Sequence, residues 1–233
     1  MSGLFKHRDV QIYNKVSAYC LVIGLLFNAD PVSAGRPTPS EGSTFFDDFS
    51  GYDASIWSKA DGWSNGPPFD NGWQADHIDF EDPGFITSTL DDVVSSGEPF
   101  TSGEYRTTDY YGYGCYEARF RPVAEPGVIT AFFTFAGPHD RPKFGNGRHN
   151  EIDIEFLGFN TREVQLNYWT NDDTYTNGHE QIVDLGFDAS EGFHDYGFKW
   201  TSTGIEWYVD GVQVHSVDDS PGDPTPKVSD TTH

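Results

Sequence analysis

The chain has 233 residues, 16% of them aromatic, with 25 Gly and 14 Pro. That length holds one large domain, and that composition suits a turn-rich β protein better than a helical bundle. A formal net charge of −23 repels polyanions, which argues against nucleic acid or sulfated polymers as partners and favours a neutral one.

Lys6, Arg8 and Lys15 precede an apolar run, Val16–Phe27, and "VSA" follows at 32–34. That is the order of a secretory signal peptide spanning 1–34, with cleavage before Gly35. The run is short for a membrane span, so an extracellular or periplasmic protein without membrane attachment after cleavage is expected, with an uncleaved anchor as the alternative because the basic lead is long. Of the two cysteines, Cys20 lies in this signal and Cys115 remains. The mature chain is therefore expected to lack an intrachain disulfide, with Cys115 as a small core residue. "GRPTPSEGS" (35–43) reads as a linker, and 44–233 as one domain.

Alternating runs then recur between turn signals. They are "GEYRTTDYY", "CYEARFRPV", "VITAFFTFAG", "EIDIEFLG", "EVQLNYWT", "HEQIVDLG", "HDYGFKWT" and "GIEWYVDGVQVHSV". Asp210-Gly211 within the last is a tight hairpin signal. Many strands at this spacing predict an all-β fold, an antiparallel jelly-roll β-sandwich.

The stretch "NEIDIEF" (150–156) carries the chemistry. On a strand, Glu151, Asp153 and Glu155 share one face while Ile152, Ile154 and Phe156 face the core. An exposed acidic face, a calcium site and glycoside hydrolysis all compete as explanations. Calcium loops need bends rather than a straight strand, and zinc lacks His or Cys at ligand spacing. Glycoside hydrolysis needs two carboxyls flanking the scissile bond. Three close carboxylates push their pKa values apart, leaving one protonated acid and one ionised nucleophile. Cα atoms four residues apart on a strand lie about 13 Å from each other. Retaining enzymes need carboxyls about 5–5.5 Å apart, so the spacing permits retention only on a concave strand with converging side chains.

"EIDIEFLG" resembles the signature of glycoside hydrolase family 16, jelly-roll enzymes acting on β-glucans and galactans. The likeness runs over about 44–227 and includes "DGWSNGPPFDNGW", "GEYRTTDYYGYGCYEARF", "FFTFAGP", "VQLNYWTN" and "IEWYVDGVQVH". These look like the lichenase branch, the endo-β-1,3-1,4-glucanases. The resemblance implies a retaining mechanism with Glu151 as nucleophile, Glu155 as general acid/base and Asp153 tuning the pair. It also implies sugar contacts from Asn65, Glu104, Arg106, Phe135, Asn167 and Trp169, and Gln165 lies on the same strand face as the last two. No cofactor is required, a structural calcium is possible, and the partner is a neutral β-glucan bound by a monomer.

The chain departs from that pattern in four places. His149-Asn150 stands where lichenases carry Trp-Asp and is more like the xyloglucan-transferase and exopolysaccharide-depolymerase branches, which adds His149 to the substrate contacts. The insert "HDRPKFGNGRHN" (139–150) is longer and more basic than the lichenase loop. Asn71 and Ser102 occupy the lichenase disulfide positions. After "HSV" the family continues for two or three more strands, while here a polar tail follows. A sandwich short of C-terminal strands, with unpaired backbone groups and compromised stability and activity, is therefore expected. The alternatives are a depolymerase of bacterial exopolysaccharide or β-1,3-glucan, a catalytically impaired glycan-binding jelly roll, or a structural sandwich.

Overall fold

The computed structural model of the protein describes residues 8–13, 46–81, 84–137, 149–170 and 178–227, the first of these by main chain alone. The cleavage site, the linker and the insert as far as Arg148 lie outside the described residues.

The N-terminal half carries short strands: β1 (Arg8–Tyr13), β2 (Trp57–Lys59), β3 (Trp63–Ser64), β4 (Asn71–Trp73), β5 (Ile78–Glu81), β6 (Phe85–Asp91), β7 (Phe100–Ser102) and β8 (Tyr105–Thr107). Longer strands follow: β9 (Gly114–Arg121), β10 (Ile129–Ala136), β11 (Asn150–Leu157) and β12 (Glu163–Trp169). The chain then forms β13 (Gln181–Asp184), β14 (His194–Thr201), β15 (Gly204–Val209) and β16 (Val212–Asp218). All eight alternating runs of the sequence contribute to strands, and Asp210-Gly211 turns β15 into β16 with φ of 48° and 75°. Both residues are left-handed, as a type I′ turn requires.

Two sheets face each other. The larger runs β16-β15-β14-β9-β1-β6-β7-β4-β3, with β5 added on β6, and the smaller runs β10-β11-β12-β13. A separate pair joins β2 to β8. The strand pairs are antiparallel except β4 with β7. The expected antiparallel jelly-roll sandwich is thus observed. The core between the sheets follows from period-2 alternation. Ile152, Ile154 and Phe156 of β11 are at most 1% exposed and pack with Phe120, Tyr196, Phe198, Trp200 and Trp207 of the opposite sheet. Phe120 meets Phe156 edge-on, with ring centroids 5.8 Å apart, and Tyr196 meets Phe156 at 5.0 Å. These are favourable aromatic geometries that also fix the sheets' relative placement.

Two features of the structure were not legible in the sequence. Arg8–Tyr13, inside the stretch read as a signal, pairs antiparallel with β6 on one side and β9 on the other. The polar tail after β16 docks rather than trailing. Trp200 Nε1 donates to the Pro226 carbonyl at 2.8 Å, Thr225 is buried, and Lys227 pairs with Asp219. One expectation is overturned: Cys115 is disulfide-bonded, and the chain has one other cysteine, Cys20, in the stretch that cleavage would have removed. Among the described residues no helix is long and apolar enough to cross a membrane.

Candidate active site

β11 lies between β10 and β12, and its register builds three rows on the face turned away from the core. Glu151 sits between Phe135 and Trp169, Asp153 between Phe133 and Asn167, and Glu155 between Ala131 and Gln165. Six residues singled out from the sequence, namely the three carboxylates with Phe135, Asn167 and Trp169, therefore share one surface, and Gln165 joins them. Strand alternation alone puts the acids on one face, but pairing register decides which neighbours they meet.

Each carboxylate has a different environment. Glu151 Oε2 lies 2.6 Å from His149 Nε2, and an ionised carboxylate only accepts, so the imidazole donates. The His149 ring is parallel to Trp169 within 11° at 5.8 Å and tilts against Phe135 at 5.7 Å. Asp153 is 4% exposed, while its main-chain oxygen accepts from Trp207 Nε1 at 3.1 Å across the core. Glu155 Oε2 accepts from Gln165 Nε2 at 2.6 Å. Asn167 is also buried, and its Oδ1 accepts from the His179 main-chain N–H at 3.2 Å.

Electrostatics separates the three acids. Burial holds the Asp153 carboxyl well above the usual range, and Glu151 and Glu155 on either side push it further. Burial between two other carboxylates favours the neutral form of Asp153, because ionising it would place a third charge in a dry site. Glu155 is also raised, first by burial, then by Glu151 and Glu180, against the lowering bond from Gln165. A half-buried carboxyl with an elevated pKa beside a second carboxylate has the properties of a general acid.

Residues 65–229 match glycosyl hydrolases family 16. The chain belongs to that family. Family 16 membership makes it a glycoside hydrolase acting on O-glycosyl bonds. A Bacillus subtilis (strain 168) protein named beta-glucanase is 41% identical over 204 residues, covering 88% of this chain and 80% of that protein. A Paenibacillus polymyxa beta-glucanase is 43% identical, covering 75% of this chain and 69% of its own length. The crystal structure of a β-1,3-1,4-glucanase (lichenase) derived from a mouse hindgut metagenome superposes with a TM-score of 0.69 at 43% identity, covering 80% of this chain and 81% of that one.

The remaining residues singled out from the sequence form a second group. Glu104 and Arg106 flank Tyr105 of β8, and Arg106 Nε lies 3.5 Å from Glu104 Oε1. That distance is an ion pair but too long for a hydrogen bond, so Glu104 Oε1 is a buried acceptor without a hydrogen-bond partner. Burial outweighs the Arg106 charge and raises the Glu104 pKa. The Arg106 guanidinium covers the Trp63 ring at 5.5 Å, Trp63 meets Trp73 at 6.0 Å, and Trp73 Nε1 donates to Asn65 Oδ1 at 3.0 Å. Sequence reasoning missed Trp63 and Trp73 as members of this group, although both stand within "DGWSNGPPFDNGW". It also missed Phe133, 37% exposed beside Asp153, which the alternation in "ITAFFTFA" places on the acidic face. Glu180 was missed because its action on Glu155 crosses from one loop to another strand.

A structural calcium finds no built site among the described residues, which hold no group of three or more His, Cys, Asp or Glu side chains arranged to bind a metal ion. Asp47, an acidic candidate near the start of the domain, has both oxygens engaged, by the Phe49 main-chain N–H and by Trp57 Nε1.

Proposed function

We propose that this chain is a retaining endo-β-1,3-1,4-glucanase that cuts a neutral glucan by double displacement. The observation that carries the reading is the row register of β10, β11 and β12, which sets two differently solvated glutamates on either side of a buried aspartate. Glu155 protonates the glycosidic oxygen while Glu151 attacks the anomeric carbon, forming a glycosyl ester. Glu155, now ionised, takes a proton from water, which attacks the same carbon and releases Glu151. Asp153, whose pKa is raised by burial and by both glutamates, favours its neutral form between them. Phe135 and Trp169 offer faces to the C–H surface of sugar rings, and Gln165 aligns Glu155. Glu104 Oε1, ion-paired with Arg106 but without a hydrogen bond, suits a sugar hydroxyl together with Asn65, and the Trp63–Trp73 pair suits ring faces of further sugars. The beta-glucanase and lichenase relatives support mixed-linkage glucan as the substrate.

His149 favours a second reading within the same chemistry. Its imidazole lies 2.6 Å from the nucleophile, and His149-Asn150 resembles the exopolysaccharide-depolymerase branch, so the alternative substrate is a bacterial exopolysaccharide or a β-1,3-glucan. Product analysis on barley β-glucan, laminarin and xyloglucan decides between them, with Glu151→Gln as control. Cleavage of barley glucan alone, with the new reducing end first appearing as the β-anomer by NMR, is expected. Inversion at the anomeric carbon, or full activity in Glu151→Gln, defeats the mechanism.

A further inference from the structure

Resting on the assignment of Glu151 as nucleophile, we propose that His149 is a positioning residue that selects which oxygen of Glu151 attacks. Its Nε2 holds Oε2 at 2.6 Å, which leaves Oε1 to face the anomeric carbon. The imidazole cannot easily swing away, because Trp169 lies parallel to it and Phe135 packs on it. These two aromatics are the cross-strand partners of Glu151 itself, so one row of the sheet holds both carboxylate and clamp. In the first step the Oε1–carbon bond forms as the glycosidic carbon–oxygen bond breaks, and the departing oxygen takes the Glu155 proton. Oε2 becomes the ester carbonyl oxygen and keeps the hydrogen bond from His149. In the second step the Oε1–carbon bond breaks, and the charge returning to the carboxylate is met by the same donor. A hydrogen bond to a charged partner places the carboxylate more firmly than one between neutral groups.

The test separates positioning from substrate contact. His149→Ala is expected to lower kcat about 10- to 100-fold with KM and melting temperature little changed. His149→Gln, which restores a side-chain N–H donor, is expected to recover a large part of that loss. A rise in KM with kcat intact, or equal kcat in the Ala and Gln variants, overturns the proposal. Activity surviving in Glu151→Gln removes the nucleophile assignment instead, and this role with it.

Independently of the catalytic chemistry, β1 fills an interior place in the larger sheet. Arg8↔Leu90 through Tyr13↔Phe85 pair it with β6, and Gln11↔Arg121, Ile12↔Phe120 and Tyr13↔Arg119 pair it with β9. No direct pairing joins β6 to β9, so β1 is what links β9 and β14–β16 to β6 and the strands beyond. The same stretch cannot be both a removed leader and an interior strand. We infer that residues 8–13 remain in the folded protein as an interior strand of the larger sheet. Without β1, facing edges of β6 and β9 would bare unpaired main-chain groups.

Hydrogen exchange on the full chain is expected to show amides of 8–13 protected like those of β9. Ile12→Pro, which deletes a ladder donor, is expected to lower the melting temperature by several degrees. Exchange of 8–13 at the rate of an unstructured peptide overturns the inference. So does a chain beginning at Gly35 that melts at the same temperature as the full chain. Neither readout depends on the enzyme's substrate.

Discussion

Gln165 Nε2 donates to Glu155 Oε2 at 2.6 Å, and the two residues are cross-strand partners in the β11–β12 ladder. The bond favours the ionised form of Glu155 and works against the burial that raises its pKa. A general acid must be protonated, so its pKa sets the alkaline limb of kcat/KM. Gln165→Leu removes the lowering bond, and the alkaline limb is expected to move to higher pH. A pH–rate profile of the variant measures this, and a limb that stays in place separates Gln165 from the tuning of Glu155.

Glu180 acts with the opposite sign. Its negative charge raises the Glu155 pKa, as does that of Glu151. Glu180→Gln is expected to move the alkaline limb to lower pH, and the shift is expected to shrink as salt is added, because an exposed charge is screened. Profiles at low and high ionic strength check both parts.

Asp153 links pH to folding. Its folded-state pKa is raised by burial and by Glu151 and Glu155, whereas an unfolded aspartate titrates at about 3.9. Its neutral form therefore contributes fully below that unfolded value, and the contribution is lost as pH rises toward the folded value. Asp153→Asn cannot ionise, so the fall in melting temperature between pH 4 and pH 7 is expected to be smaller in the variant. Thermal melts across that window provide the comparison, alongside a lower kcat from the altered charge between the two glutamates.

Trp207 ties the catalytic strand to the opposite sheet through its bond to the Asp153 main-chain oxygen. Trp207→Phe keeps an aromatic ring in the core but leaves that buried carbonyl without the donor. A loss of about 1–3 kcal/mol is expected for the unpaired group, with more for the lost volume. Urea unfolding of the two proteins measures it.

Much of this molecule was legible in single residues. Alternation in "EIDIEFLG" placed three acids on one face and Ile152, Ile154 and Phe156 in the core, because strand side chains reverse at every residue. Asp210-Gly211 announced its hairpin because both positions need positive φ. The very short strands β2, β3, β4 and β7 escaped, since two or three residues give too little period to read. Trp63 and Trp73 were seen within a motif but not as a pair, since only the β3–β4 register brings them opposite each other.

By itself the sequence determined the periodic features: the strand runs, the shared acidic face and the apolar face behind it. These depend on spacing within one strand, which the backbone geometry sets locally. Only the tertiary structure decided what crosses between strands. It set Gln165 against Glu155, buried Asp153 under its neighbours, and aimed Trp207 at the back of β11. It also placed Arg8–Tyr13 between β6 and β9, where composition had suggested only a leader. Pairing is a choice among distant partners. It is settled by which arrangement satisfies the main-chain hydrogen bonds and buries the apolar face together, and no local window of sequence contains that comparison.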